Sequence, residues 1–316
     1  IRKTLPYNQY PFTFNNTTVT DPAQTPVTRY DLQKDIFRTA AGHEQYLSVS
    51  GGTPTTQYFF SGSLFANQGI VKASDFTRAS SRMRIQQTLT KWATLNIGSN
   101  YVYSNSHEIP NGGINEAYGA LTGFIFSNNF INPQPDPTTG VFPSTAPVSV
   151  VRRTNPLEAI ARFDFRQRTS RYIGDVQLNL TPVRGLGVDF TFGLDTYSQL
   201  ATGYIPPNNT TPSYNAGYSR KSEASVLQIN NDLNIRYQAN PTEWLKSTTG
   251  VGATIQYDRS FTTGITAQQL GVFGQTINNG ANIVAAESRT ERSFIGVFAQ
   301  QTFGLFNRFF VTGAGR

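Results

Sequence analysis

Hydrophobic and polar side chains alternate along much of this chain. A period of two sends successive side chains to opposite faces of a β-strand. From Leu186 to Thr196, one face takes Leu186, Val188, Phe190, Phe192 and Leu194, and the other takes Gly187, Asp189, Thr191, Gly193 and Asp195. From Leu227 to Tyr237, one face takes Leu227, Ile229, Leu233, Ile235 and Tyr237, with Asn231 the polar exception. The same rhythm runs through Ala93–Tyr103, Gly174–Leu180 and Leu245–Tyr257. Weaker patterns at Tyr46–Ser50, Gln57–Asn67, Arg78–Leu89, Ser293–Phe303 and Arg308–Ala314 bring the total to about ten strands. Several of these predicted strands reach ten residues or more. Soluble strands usually run ~5–6 residues, whereas ~9–11 are needed to cross a membrane.

The connections alternate in length. Short turns are predicted at Gly51–Thr55, Thr90–Lys91, Thr181–Gly185, Gln238–Glu243 and Gly304–Asn307. Longer loops are predicted at Gly69–Asp75, Ser106–Arg168, Ser198–Lys221 and Asp258–Ser288. Turns at one end and loops at the other form the pattern of an outer-membrane β-barrel. Tyr101, Tyr103, Tyr197, Tyr237, Trp244 and Tyr257 fall near strand ends, where aromatic rings anchor a wall at headgroup level. The longest loop needs structure of its own. Ala117, Ala120, Leu121 and Phe124 have helical spacing with Asn115 as cap, and Asn155-Pro156 reads as a cap followed by proline in the first turn. A soluble β-sandwich with large loops would alternate equally well and stays open at this point.

Composition narrows the choice. Charged residues are 14% of the 316 and aromatics 13%, so the chain is too aromatic for disorder and too poor in charge for an ordinary soluble surface. No apolar run is long enough for a transmembrane helix. Zero cysteines exclude disulfides and thiolate metal sites. The net charge of +7 is scattered rather than gathered into a stripe with interleaved aromatics, which argues against nucleic-acid binding. The first residue is Ile1, no leader precedes the pattern, and the last residues still alternate, so the chain reads as a piece of a longer polypeptide.

Several stretches then resemble a known family. Asp31-Leu-Gln-Lys-Asp-Ile-Phe-Arg-Thr-Ala40 is similar to the segment before a barrel strand in SusC/RagA-type TonB-dependent outer-membrane transporters. Leu47–Gly52, Tyr58–Leu64, Asn67–Lys72, Asp75-Phe76, Arg78, Lys91–Gly98 and Tyr103-Ser104 follow in the family's order. Asn155–Leu157, Arg171–Gly174, Phe309-Phe310 and Gly315-Arg316 agree further on, while Leu32 stands where the family has Trp. The resemblance implies an all-β fold: an antiparallel transmembrane barrel segment with short periplasmic turns and long extracellular loops, in the outer membrane of a Gram-negative bacterium. Residues 1–316 would be part of one barrel domain of about twenty-two strands, without its plug or closing strands. The function implied is TonB-driven import of oligosaccharides or peptides. A SusD-like lipoprotein would close over the loops, TonB would be reached through a missing N-terminal region, and no cofactor would be held. A passive porin or a ten-stranded barrel enzyme is the alternative.

Candidate chemistry is sparse. His43 and His107 are the two histidines, not spaced as a metal pair, and no HExxH, GxSxG, Walker A or GxGxxG pattern occurs. No catalytic residue is assigned. By parity, Arg78, Arg82, Arg84, Asp175, Asp189, Asp195 and Asp232 should face the lumen, where they pair with one another or meet the plug and cargo. Cargo contact is expected on the long loops, with Tyr118, Phe124, Phe126, Phe130, Tyr204, Tyr214 and Tyr218 as candidates, because aromatic faces stack on sugars and peptides alike.

Overall fold

The computed structural model describes residues 12–14, 17–19, 28–110, 118–145, 152–272 and 274–316. Two short strands, β1 (Phe12–Phe14) and β2 (Thr17–Val19), pair antiparallel with each other. A one-turn helix, α1 (Leu32–Ile36), precedes the main sheet. That sheet has ten strands in sequential order: β3 (Gly42–Gly52), β4 (Thr56–Gln68), β5 (Asp75–Thr90), β6 (Ala93–Glu108), β7 (Asp164–Leu180), β8 (Leu186–Ile205), β9 (Tyr218–Thr242), β10 (Leu245–Leu270), β11 (Gly280–Leu305) and β12 (Phe309–Gly315). Every neighbouring pair is antiparallel. Helices α2 (Ala120–Phe126) and α3 (Pro156–Arg162) lie in the connection from β6 to β7.

Register turns the sequence alternation into two faces. Tyr58, Ile85, Ile97, Val176, Phe192, Asn231, Ile255 and Ile295 stand in one cross-strand row, and Asn231 is its polar member. One residue along, Arg84, Gly98, Asp175, Gly193, Asn230 and Gln256 form a row on the opposite face. From the short turns up to Tyr101 on β6, Tyr172 on β7, Thr196 on β8, Leu227 on β9 and Tyr257 on β10, the apolar face carries no Asp, Glu, Lys or Arg, and Arg259, opposite Leu227, is the first charge on β10. Its length on β8, Leu186 to Thr196, is about 34 Å of strand, or roughly 24 Å of height at a 45° tilt. Beyond that level the same face turns charged, with Asp164, Arg166, Arg168, Lys221, Glu223, Arg259, Glu287, Arg289 and Glu291.

All ten predicted strands are present, and β7–β11 run 17 to 26 residues, longer than the alternation implied. The connections shrink to 206–217 and 271–279 where Ser198–Lys221 and Asp258–Ser288 had been expected. The hydrogen-bond ladder continues where the hydrophobic rhythm stops, because past the apolar band the outward face is polar too. Tyr197 lies opposite Arg171 and Val226 and so belongs to the polar face rather than to an aromatic ring on the apolar one. Its odd number already set it against Leu186–Leu194.

Below the loop end, the apolar face stands uncovered among the described residues. Leu47, Ile295 and Val297 are 79%, 75% and 66% exposed. An apolar face of that extent needs lipid or another partner. The hydrophobic core lies instead at the loop end, where Leu32, Ile36, Val71, Ile109, Ala120, Ala159, Phe163 and Ile205 are buried together.

Candidate functional site

The loop end is built by caps and buried polar bonds. Asn155 Oδ1 accepts from Leu157 N at 2.9 Å, starting α3. Asn155 Nδ2 donates to Pro133 O at 2.8 Å and Pro143 O at 3.0 Å, which ties two turns of the long loop to that helix. The proline in the first turn is where the sequence placed it. Helix α2 begins after Gly119, while the expected Asn115 and Ala117 lie outside the described residues. Gly123 is required on α2, since a Cβ there would stand 2.2 Å from Thr154 O. Glu158, buried on α3, accepts from Arg162 Nη1 at 2.6 Å, Thr210 N at 2.7 Å and Thr210 Oγ1 at 2.5 Å. It thereby joins the β6–β7 loop to the β8–β9 loop.

The expected cargo aromatics divide within this cap. Tyr118 stacks on Phe165 (6.1 Å, 4° between planes) and meets Tyr214 edge-on at 5.6 Å, and Tyr214 packs on Tyr218 at 4.7 Å. Phe124 packs edge-on against Phe37. Phe126 lies under the Arg153 guanidinium and Phe130 under that of Arg29. Tyr204 stands apart, opposite Asp164 and Ser219 at the end of β8. Tyr118 also lines an open cavity of about 560 Å³ with Phe76, Glu108, Phe165 and Arg220. Sequence reasoning passed over those last four, since strand parity gives no sign that they converge.

On the polar face, Arg84 Nη2 reaches Asp175 Oδ1 at 3.2 Å across the intervening strand. Gly98 lies directly between them, and a Cβ there would come within 2.1 Å of the carboxylate. Arg171 grips Asp195 with two bonds of 2.9 and 2.5 Å. Asp189 accepts from Asn179, which in turn accepts from Asn96, and Asp232 accepts from Thr254. Arg78 lies 3.7 Å from Glu44 and over the Phe65 ring. Arg82 has no acidic partner among the described residues. His107 faces Asp164 at 3.3 Å on the outward side, and its Nε2 makes no hydrogen bond. His43 is on β3, on the same side. Among the described residues, no His, Asp and Glu cluster is arranged to hold a metal ion. In the loop, Asp136 accepts from the Thr139 N–H and hydroxyl and the Thr138 N–H, and those bonds hold its carboxyl below the usual range.

Ten antiparallel strands, one face with a charge-free apolar band, one polar face and a turn end opposite a loop end define a segment of an outer-membrane-type β-barrel. No family model matches the chain, and no curated protein matches it. Solved structures do. The RagAB peptide transporter overlays with a TM-score of 0.73 at 17% identity, covering 92% of this chain and 33% of that one. The RagAB peptide importer in its closed-closed and open-open states overlays at 0.70 with 18% identity. The chain thus has the fold of a SusC/RagA-type barrel segment, and it spans about a third of the length of the transporter chain it matches.

Proposed function

We propose that this chain forms part of the wall of a TonB-dependent outer-membrane importer of SusC/RagA type. The observation that carries this reading is the unbroken ten-strand sheet with a charge-free band of roughly membrane height on one face, overlaying a third of the matched chain of the RagAB transporter. Lipid covers the apolar face. The polar face, with Arg78, Arg82, Arg84, Asp175, Asp189, Asp195 and Asp232, lines the lumen, and the loop cap faces outward. A SusD-like surface lipoprotein closes over the cap, TonB engages through another part of the longer protein, and the wall does no covalent chemistry. The cargo is an oligosaccharide or a peptide, and the peptide reading gains support from the description of RagAB as a peptide importer.

The test is uptake in the native host. Deleting the gene should abolish growth on one polymer class, with labelled cargo lost equally from a TonB-deficient strain. Uptake that continues without TonB would replace the importer with a passive pore. Unchanged growth on both peptide and glycan would overturn the transport reading.

A further inference from the structure

The short-turn end carries a surface that neither pore nor cap explains. Four of its turns expose a large apolar side chain: Trp92 after β5, Val183 after β7, Trp244 after β9 and Phe306 after β11. Trp92 and Trp244 are each 47% exposed, and Phe306 is 62% exposed. Trp244 and Phe306 stack at 5.6 Å with 25° between planes, joining two turns into one aromatic plate. The turns are also laced together by backbone bonds: Thr181 N donates to Trp92 O, and Phe306 N donates to Trp244 O, both at 2.7 Å.

The geometry at Phe306 is unusual for its residue type. Phe306 and Asn307 both have left-handed φ, +54° and +55°, and Arg308 N donates to Leu305 O at 3.0 Å to close the turn. Asn-Gly is the ordinary choice for such a turn. A bulky ring in that conformation is held against its backbone preference in order to present an apolar plate outward.

Bases accompany the rings. Lys91, Arg184 and Arg308 sit in the same turns, all exposed, and Glu243 is the acid among them. None of the three enters an ion pair among the described residues. Trp and Tyr rings favour the headgroup level of a bilayer, and unpaired bases beside them attract negative charge.

We infer that this turn end reads a layer of anionic phospholipid headgroups. The rings Trp92, Trp244 and Phe306 lie at the interface, and Lys91, Arg184 and Arg308 draw acidic lipids around them. The inference rests on the membrane reading above and adds to it a preference between lipids.

The chain has two tryptophans, and both stand in this rim, so fluorescence reports on it directly. The protein is placed in nanodiscs in which a fixed minor fraction of lipid is brominated phosphatidylglycerol or brominated phosphatidylcholine. Subtracting the signals of Trp92→Phe and Trp244→Phe variants isolates each ring. The expected result is stronger quenching by the acidic lipid, on the order of fivefold enrichment if one base acts at full strength, falling as salt is raised. The triple variant Lys91→Gln, Arg184→Gln, Arg308→Gln should bring the two lipids to equality with quenching by phosphatidylcholine unchanged. Arg184→Gln alone, expected to give a partial loss, serves if the triple variant does not insert. Equal quenching by both lipids, or a preference that survives the base replacements, overturns this inference and leaves the membrane reading standing. Quenching by neither lipid overturns both and assigns the rim to water or a protein partner.

Discussion

Removing the carboxylate at position 158 tests whether one buried polar network holds the loop cap together. Glu158 is 1% exposed and accepts from Arg162 and from both the backbone and hydroxyl of Thr210. In Glu158→Ala the Thr210 N–H and hydroxyl lose their acceptor. A fully buried stranded group costs about 1–3 kcal/mol, less at half-buried Thr210, and breaking a buried ion pair costs about 3–5 kcal/mol. Arg162 is 31% exposed and keeps bonds to Asn208 O and Pro207 O, so water and backbone recover part of its loss. The lower end, about 3 kcal/mol, is the reasoned value. That loss belongs to local opening of the cap and not to the sheet, whose strands pair without it. Hydrogen exchange by mass spectrometry reads it: peptides covering 152–163 and 206–217 should exchange on the order of a hundredfold faster, with peptides from the centres of β8 and β9 unchanged. Glu158→Gln keeps an acceptor for Thr210 but turns an amide N–H₂ toward Arg162, so its acceleration should be smaller. Less than about threefold acceleration in Glu158→Ala, or equal acceleration in the sheet, would refute the idea of a separately held cap.

Other perturbations separate the two faces. Gly98→Val should abolish the coupling between Arg84 and Asp175 in a double-mutant cycle, yet change stability by no more than about 1 kcal/mol, because both partners are partly exposed. Ile255→Arg, in the middle of the apolar band, should cost about 2–4 kcal/mol when folding into vesicles is followed in urea, while Gln256→Arg on the other face should cost little. Phe306→Asn relieves a left-handed Phe, gaining about 1 kcal/mol, and loses a ring stack of similar worth. Its melting temperature in micelles should therefore hardly move, while Trp244 emission shifts red. The bonds that lower the Asp136 carboxyl stabilise its turn above the ordinary value of 3.8, and that contribution should disappear as pH falls through the lower folded value. Exchange of the Thr138 and Thr139 amides should show this loss, and Asp136→Asn should show no such step.

The ten strands were legible because a sheet with one apolar and one polar face imposes alternation, and alternation is visible one residue at a time. The rows of the polar face were legible for the same reason: Arg84 and Asp175 each have the parity opposite to their apolar neighbours. What parity cannot show is that Gly98 stands between them, since that depends on two registers at once. The helix at Pro156 was readable from its cap, a local signal, whereas α1 was not. Leu32 and Ile36 have the i, i+4 spacing and Asp31 Oδ1 accepts from Gln33 N, but five residues are too short a run for a period to stand out, and the helix is held by Leu32 and Ile36 burying into the cap and by Arg38 donating to Gly69 O and Ser74 O. The convergence of Tyr118, Phe165, Tyr214 and Tyr218 joins the segment just ahead of α2, two strands and a second loop, and nothing local announces it.

The strand ends carry one more consequence. Past the apolar band, the outward face pairs its charges along single strands, Lys221 with Glu223, Arg166 with Asp164 and Arg289 with Glu291. Such residues sit two apart on one face and need no partner strand to satisfy them. The ladder can therefore climb well beyond the apolar band without a second protein layer to cover it. On β9, Leu227 closes the charge-free band and Tyr218 begins the strand, a rise of nine residues or about 30 Å along the strand. The hydrophobic core sits at the top of that climb because only there do loops fold back over the sheet and offer a surface to bury against. On the importer reading, the cap is held above the headgroups by the wall itself, so shortening β9 and β10 by matched pairs of residues should lower the cap toward the membrane before it disturbs the fold. Depth-dependent quenching of a fluorophore on the cap would measure that descent, and a cap that stayed at constant height would show that something other than strand length sets its position.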